Sequence, residues 1–349
     1  MPRRFEVTPL IRAAAVACAI TLAAVFVPLA TASSAHAAQW SPAASAAEPK
    51  VSHAATAAAR SAAVNYWTPA RMASAKSADA LAPHAQSPST AGAAAAPAAS
   101  AGVVHKVPPV AGTYRATKAA GPSAGGKASA VASDTIYATP AIGKVFFSIG
   151  NVGYACSGSS VNSDSGELVL TAGHCVYDVA AGAWAGNFVY VPGYDGGAPY
   201  GIWSAAILTT FAGYTTGDAT LDTGFVAVTG PGNLRNTVGA MGLETGYSSF
   251  ANPLLTMGYP PNSPNWQYYC LATATVSFGD GFVFMPCAQG PGASGSPILD
   301  GFDASTGLGN DASDLTLEWT YSDGSHANSG PIFTSQTWSL YESIQGTVV

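Results

Sequence analysis

Three short stretches of the sequence bring together residue types able to cleave an acyl bond. The first is Leu170-Thr171-Ala172-Gly173-His174-Cys175, an apolar run that enters a small-residue turn and holds a histidine beside a cysteine. An imidazole titrates near neutrality, so a positioned one can take and return a proton at ordinary pH. Only His174 and His326, of six histidines, lie beyond residue 131. The second stretch, 218–228, places Asp222 just ahead of an apolar run. A carboxylate there can accept the imidazole N–H, fix its tautomer and stabilise the imidazolium that forms. Asp218, in Thr216-Gly217-Asp218, reads as a turn residue instead. The third is Gly290-Pro291-Gly292-Ala293-Ser294-Gly295-Ser296-Pro297. Glycines on both sides of Ser294 let the backbone bend sharply and approach a carbonyl. The N–H groups of Gly292 and Ser294 can then converge as an oxyanion hole. Ser296 is a weaker nucleophile candidate, because Pro297 follows it. Taken singly, each stretch is ordinary, since lone histidines are mostly core or surface groups and Gly/Ser/Pro turns are common. Together, in the order His, Asp, Ser, they point to nucleophilic acyl transfer.

Residues 136–349 must supply the elements that position these groups. Short apolar or alternating runs at 142–149, 167–171, 187–191, 202–210 and 225–228 are separated by Gly, Pro, Asn and Asp. Such punctuation predicts an all-β domain, a sandwich or barrels rather than a βαβ sheet. One helix is expected at the C-terminal end, from about Thr334, where Trp338, Tyr341 and Ile344 recur at helical spacing. Cys156, Cys175, Cys270 and Cys287 form an even set, as in exported disulfide-bonded domains. Three pairings are possible, and the local ones, 156–175 and 270–287, are favoured. A zinc site at His174 and Cys175 lacks the paired ligand spacing that zinc needs, so no metal and no cofactor is expected. A structural calcium is left open, although no EF-hand-like spacing is present.

The N-terminal part is a different material. Residues 1–38 carry Arg3, Arg4 and Arg12, then an apolar run, then a small-residue cleavage pattern near Ala37 and Ala38, which reads as a secretory signal peptide. An uncleaved membrane anchor is the alternative. Residues 39–135 are rich in Ala, Ser, Pro and Gly and carry few large apolar groups. They cannot bury enough surface to offset their ordering entropy, so a disordered prosegment or a flexible spacer is expected. Up to residue 130 this stretch has eight basic residues against Glu48 and Asp79, a net +6. Residues 131–349 have two basic residues against 16 acidic, a net −14. The two charges attract, so the segment is expected to mask the acidic domain as its own internal partner. That acidity also argues against nucleic-acid binding.

The Thr-Ala-Gly-His-Cys and Gly-Ala-Ser-Gly-Ser-Pro stretches closely resemble the motifs of the trypsin/chymotrypsin-like serine peptidases. The serine stretch resembles the glutamyl-endopeptidase-like branch, among secreted members of actinobacterial character. The resemblance covers roughly 140–345. It implies two six-stranded antiparallel β-barrels with a C-terminal helix and an active site between the barrels. It further implies His174 as base, Asp222 as its orienter, Ser294 as nucleophile, and protein or peptide substrates. A secreted, monomeric endopeptidase without a membrane partner is expected. A catalytically silent, binding-only relative is the alternative, and a structural β-protein a more distant one.

Three departures from the family bear on regulation and specificity. Where digestive relatives carry an Asp before the serine, this chain has Ala293, which cannot pair with a new N-terminal amine. Where trypsin has the pocket Asp, six residues before the nucleophile, this chain has Ala288. In Leu317-Glu318-Trp319, Glu318 stands where glutamyl endopeptidases place a His. Its charge would repel an acidic side chain at the cleavage site (P1) and could accept a basic or polar one, the alternative being a merely exposed or hydrogen-bonded strand residue. The net −14 is expected to raise the His174 pKa, shifting activity toward alkaline pH, with the effect weakened by salt.

Overall fold

The computed structural model describes residues 48–83, 102–114, 117–118, 137–260, 265–287, 289–290, 292–321 and 324–349. The signal stretch and Ala288 lie outside these residues. Ile142–Ile149 pairs along its whole length with Val152–Val161, and its other edge pairs with Gly186–Pro192. Val152–Val161 continues to Leu168–Thr171, which pairs with Gly224–Thr229. Trp203–Phe211 joins Gly186–Pro192 to Gly224–Thr229 and closes a six-stranded antiparallel barrel. Closure removes most free ladder edges. The barrel is filled by Val145, Phe147, Val169, Tyr190, Trp203, Val226 and their neighbours, all buried. Each expected run in this half is a strand within a residue or two of its expected bounds.

The second half is built from two sheets. Tyr268–Ala272, Leu254–Gly258, Pro297–Asp303, Leu308–Asp314 and Gly242–Thr245 lie in one, and His105–Val107 adds a sixth strand to it. Thr275–Ser277, Phe282–Met285, His326–Pro331 and Leu317–Thr320 form the other. The sheets are stitched together where Thr316 N–H donates to Ser329 O at 2.8 Å. The C-terminal helix spans Ser335–Glu342 and begins at Thr334, whose hydroxyl caps it in a capping box with Thr337.

Residues 48–83 take up order by docking. Lys50–Ala54 pairs with the Ile207–Phe211 half of its neighbour, an edge that Gly186–Pro192 leaves free. Helices at Ala57–Tyr66 and Pro69–Ser74 follow, capped by Thr56 and Thr68. Ala63, Trp67 and Met72 are buried among barrel residues such as Phe146 and Val189, and Trp67 Nε1 donates to Asn187 O at 2.7 Å. The segment has no core of its own, as its composition requires, and borrows one from the barrel. Among the described residues no helix is long and apolar enough to cross a membrane.

Cys156 is bonded to Cys175 and Cys270 to Cys287, the local pairing, at sequence separations of 19 and 17. The first ties the second barrel strand to the turn that carries His174. Loops of this size stabilise by about 3 kcal/mol through the unfolded state. Replacing Cys156 and Cys175 together by Ala should lower the unfolding free energy by about that amount, measured by urea denaturation. A loss below about 1 kcal/mol would contradict it.

Candidate functional site

His174 sits in the single turn Gly173–Cys175 that follows the strand ending at Thr171. Asp222 ends the turn Ala219–Leu221, just before the strand that pairs with Leu168–Thr171. Strand pairing therefore brings the two turns together. Asp222 grips His174 twice: the His174 backbone N–H donates to Oδ1 at 2.7 Å, and ring Nδ1 donates to Oδ2 at 2.9 Å. Both residues are 0% exposed. A side chain at Gly173 would meet Asp222 Oδ1 at 2.9 Å, so the clamp requires a glycine there.

With Nδ1 bound, Nε2 is the free basic nitrogen. It is buried and has no hydrogen-bond partner among the described residues. The His174 pKa is raised. Burial pushes it down, but the charge and hydrogen bond of Asp222 outweigh this, and Asp79 adds to the rise. The source is therefore two nearby carboxylates rather than the diffuse −14, and a buried contact of this kind is little screened by salt.

Ser294 is 1% exposed and lies in a turn fixed by three backbone bonds. Ser157 N–H donates to Ser294 O, Gly295 N–H to Leu315 O, and Ser296 N–H to Ala293 O. Gly295 has φ +78°, and a side chain on it would strike Ser157 O and Thr171 Oγ1, both at 2.3 Å. The serine turn is thus pressed against the strand that leads to His174.

The residue that sequence reasoning missed is Asp79. Gly292 N–H donates to both its carboxylate oxygens, at 2.8 and 2.9 Å, and the Ser294 hydroxyl donates to Oδ1 at 2.7 Å. The expected oxyanion donor Gly292 and the expected nucleophile therefore converge on one anion. A signal was present: Asp79 and Glu48 are the only acids in an otherwise basic stretch. Glu48 also binds the barrel, accepting Gly213 N–H at 2.9 Å.

Two more acids lie close by. Asp314 is buried, accepts the Thr223 hydroxyl at 2.8 Å, and has its pKa pushed well up by burial and by the Asp222 charge. Asp311 is likewise buried, bonded to Ser159 Oγ and shifted up by burial. Both shifts favour the neutral acid. Glu318 is partly exposed, and its carboxylate is 3.5 Å from His326 Nδ1. Burial raises its pKa, His326 opposes this and Asp79 adds to it. Trp319 is 9% exposed, packs on Phe282 and Phe284, and donates to Ser329 Oγ. It braces the strand from inside. Ala293 is fully buried without a charge to offer. Among the described residues the one cluster of metal-ligand types is Cys156, His174 and Cys175, and its two sulfurs are joined in the disulfide.

A family model described as Trypsin matches residues 131–308. The glutamyl endopeptidase of Bacillus licheniformis is 29% identical over 184 residues, which are 49% of this chain. The chain spans about half of that relative's length, 52%. The crystal structure of a thermostable serine protease from an extremophilic microorganism is 30% identical, with a TM-score of 0.55, and covers 60% of this chain and 99% of its own. The protease Anisep from Arthrobacter nicotinovorans is 30% identical, with a TM-score of 0.53, and covers 60% and 97%.

Asp222→Asn should lower the His174 pKa, since burial then acts with one fewer opposing charge. NMR titration of the His174 ring protons measures this, and an unchanged pKa would contradict the assignment.

Proposed function

The chain belongs to the trypsin family, and on that premise we propose that it is an exported serine endopeptidase with His174 as base, Asp222 as its orienter and Ser294 as nucleophile. The observation that carries this reading is the two-point grip of buried Asp222 on His174, which leaves Nε2 as the free basic nitrogen. Asp79 links the other half of the site to it: it bonds Ser294 and is near enough to raise the His174 pKa. Residues 1–38 act as the export signal, 39–135 as the prosegment and 136–349 as the peptidase domain. Two disulfides support an oxidising, extracellular destination.

The reaction follows from these roles. The Ser294 hydroxyl loses its proton to His174 Nε2 as Oγ bonds the peptide carbonyl carbon. The carbonyl electrons move to oxygen, and the oxyanion meets the N–H groups of Gly292 and Ser294. The C–N bond then breaks and His174 hands its proton to the leaving amine. Water repeats the sequence, giving its proton to His174 and splitting the ester, which releases the acid and restores Ser294.

Specificity is read from Glu318. Its carboxylate, 3.5 Å from His326 Nδ1, disfavours an acidic P1 side chain and suits a basic or polar one. The activity named for the Bacillus relative is therefore not carried over whole.

The test is hydrolysis of matched peptides with Lys, Glu or Leu at P1, followed across neutral and alkaline pH. The Lys peptide should be cleaved fastest. The rate should rise with pH, because His174 acts as base only when neutral and its pKa is raised. Ser294→Ala should cost on the order of 10⁶ in kcat. Fastest cleavage after Glu would overturn the specificity, and an active Ser294→Ala would overturn the mechanism.

A further inference from the structure

The prosegment does more than cover the cleft. We propose that the Asp79 carboxylate is an internal, non-hydrolysable occupant of the oxyanion hole that holds the peptidase latent until the segment leaves. This rests on the assignment of Ser294 as nucleophile.

The placement is specific. The chain reaches the site as an extended pair, Lys76–Ser77, running parallel to Tyr154–Ala155, and Ala78 N–H donates to Ala155 O at 3.2 Å. Asp79 follows at the head of a single turn, Asp79–Leu81, and its own N–H is tied back to Ser77 Oγ. Trp67 and the Lys50–Ala54 strand fix the segment farther back. The segment does not fill the cleft. A cavity of about 360 Å³ remains between Met72, Ala75 and Ser77 on one side and Lys144, Tyr194 and Gly292 on the other. Blockade therefore depends on what Asp79 touches rather than on bulk.

Its contacts remove two catalytic elements at once. The Gly292 N–H that would meet a developing oxyanion is spent on both oxygens of a full anion. A hole shaped to favour negative charge in the transition state will also hold a carboxylate in the ground state. The Ser294 hydroxyl donates to Asp79 while His174 Nε2 has no hydrogen-bond partner among the described residues, so the nucleophile is bonded to Asp79 and not to its base. A carboxylate has no amine to expel, so Ser294 cannot acylate on it. The plug binds as a substrate carbonyl would but survives. Its charge also favours the protonated form of His174, which cannot act as a base.

The experiment uses the full chain with its segment attached, labelled with a fluorophosphonate that reacts with an activated serine. Wild type, Asp79→Ala and Trp67→Ala are compared, with Asp79→Asn as an isosteric second variant. Hydrogen exchange at residues 50–54 reports whether the segment stays docked. Asp79→Ala should label Ser294 about 10-fold or more faster than wild type, in proportion to the freed fraction, with 50–54 still protected. Asp79→Asn should gain a smaller factor. Equal rates for wild type and Asp79→Ala would overturn the plug, whether both are fast or both are slow while Trp67→Ala labels quickly. No labelling in any form, Trp67→Ala included, would instead remove the nucleophile assignment and the plug with it.

Discussion

The structure depends on one buried contact, the grip of Asp222 on both the backbone and the ring of His174. An ion pair taken fully out of water is costly unless its geometry is good and its remaining lone pairs are satisfied. Here the carboxylate accepts two N–H donors from one residue, and the ring is held in a single tautomer. The fold provides what this needs. The strands at Leu168–Thr171 and Gly224–Thr229 pair edge to edge, so the turns after one and before the other must meet. Gly173 clears the space, and the Cys156–Cys175 bond fixes the far side of the turn. Asp314, favoured as a neutral acid, places a second carboxyl behind Asp222 without a second full charge.

Under the proposed assignment, a site prepared for negative charge carries a liability before substrate arrives. Gly292 and Ser294 present donors that attract any anion, and the chain supplies its own. Under the same proposal, the contrast between a basic segment and an acidic domain would draw the two together over distance. At short range the sign reverses, since the residue that reaches Gly292 and Ser294 is one of only two acids in residues 39–130. Long-range attraction and local occupancy are thus carried by different residues of the same stretch.

The residues of the candidate site could be named from the sequence because acyl transfer, the chemistry proposed for them, restricts residue types tightly. His174, Asp222 and Ser294 each sit where a strand meets a small-residue turn, and both features can be read locally. The strand runs and the final helix were legible through local patterning, short apolar or alternating runs between turn residues and the helical spacing of Trp338, Tyr341 and Ile344. Asp79 stood out only as a rare acid in a basic stretch, and its contact with Ser294 was not legible. It lies 215 residues before Ser294, and no local pattern encodes a contact closed over that distance. The order of residues 48–83 was hidden too, since composition reports what a segment can bury alone and not what it gains against Phe146 and Val189. Charge arithmetic gave the right direction for His174 from the wrong source, because it cannot weigh a contact at 2.9 Å against a diffuse field.

The central claim is that buried His174 activates Ser294. Its most direct test is to trap the acyl-enzyme from an activated ester on protein freed of its segment, and to map the adduct by mass spectrometry. The account predicts one acyl group, ester-linked to Ser294, absent from His174→Ala. An adduct on another residue, or one on Ser294 that forms equally well without His174, would contradict it.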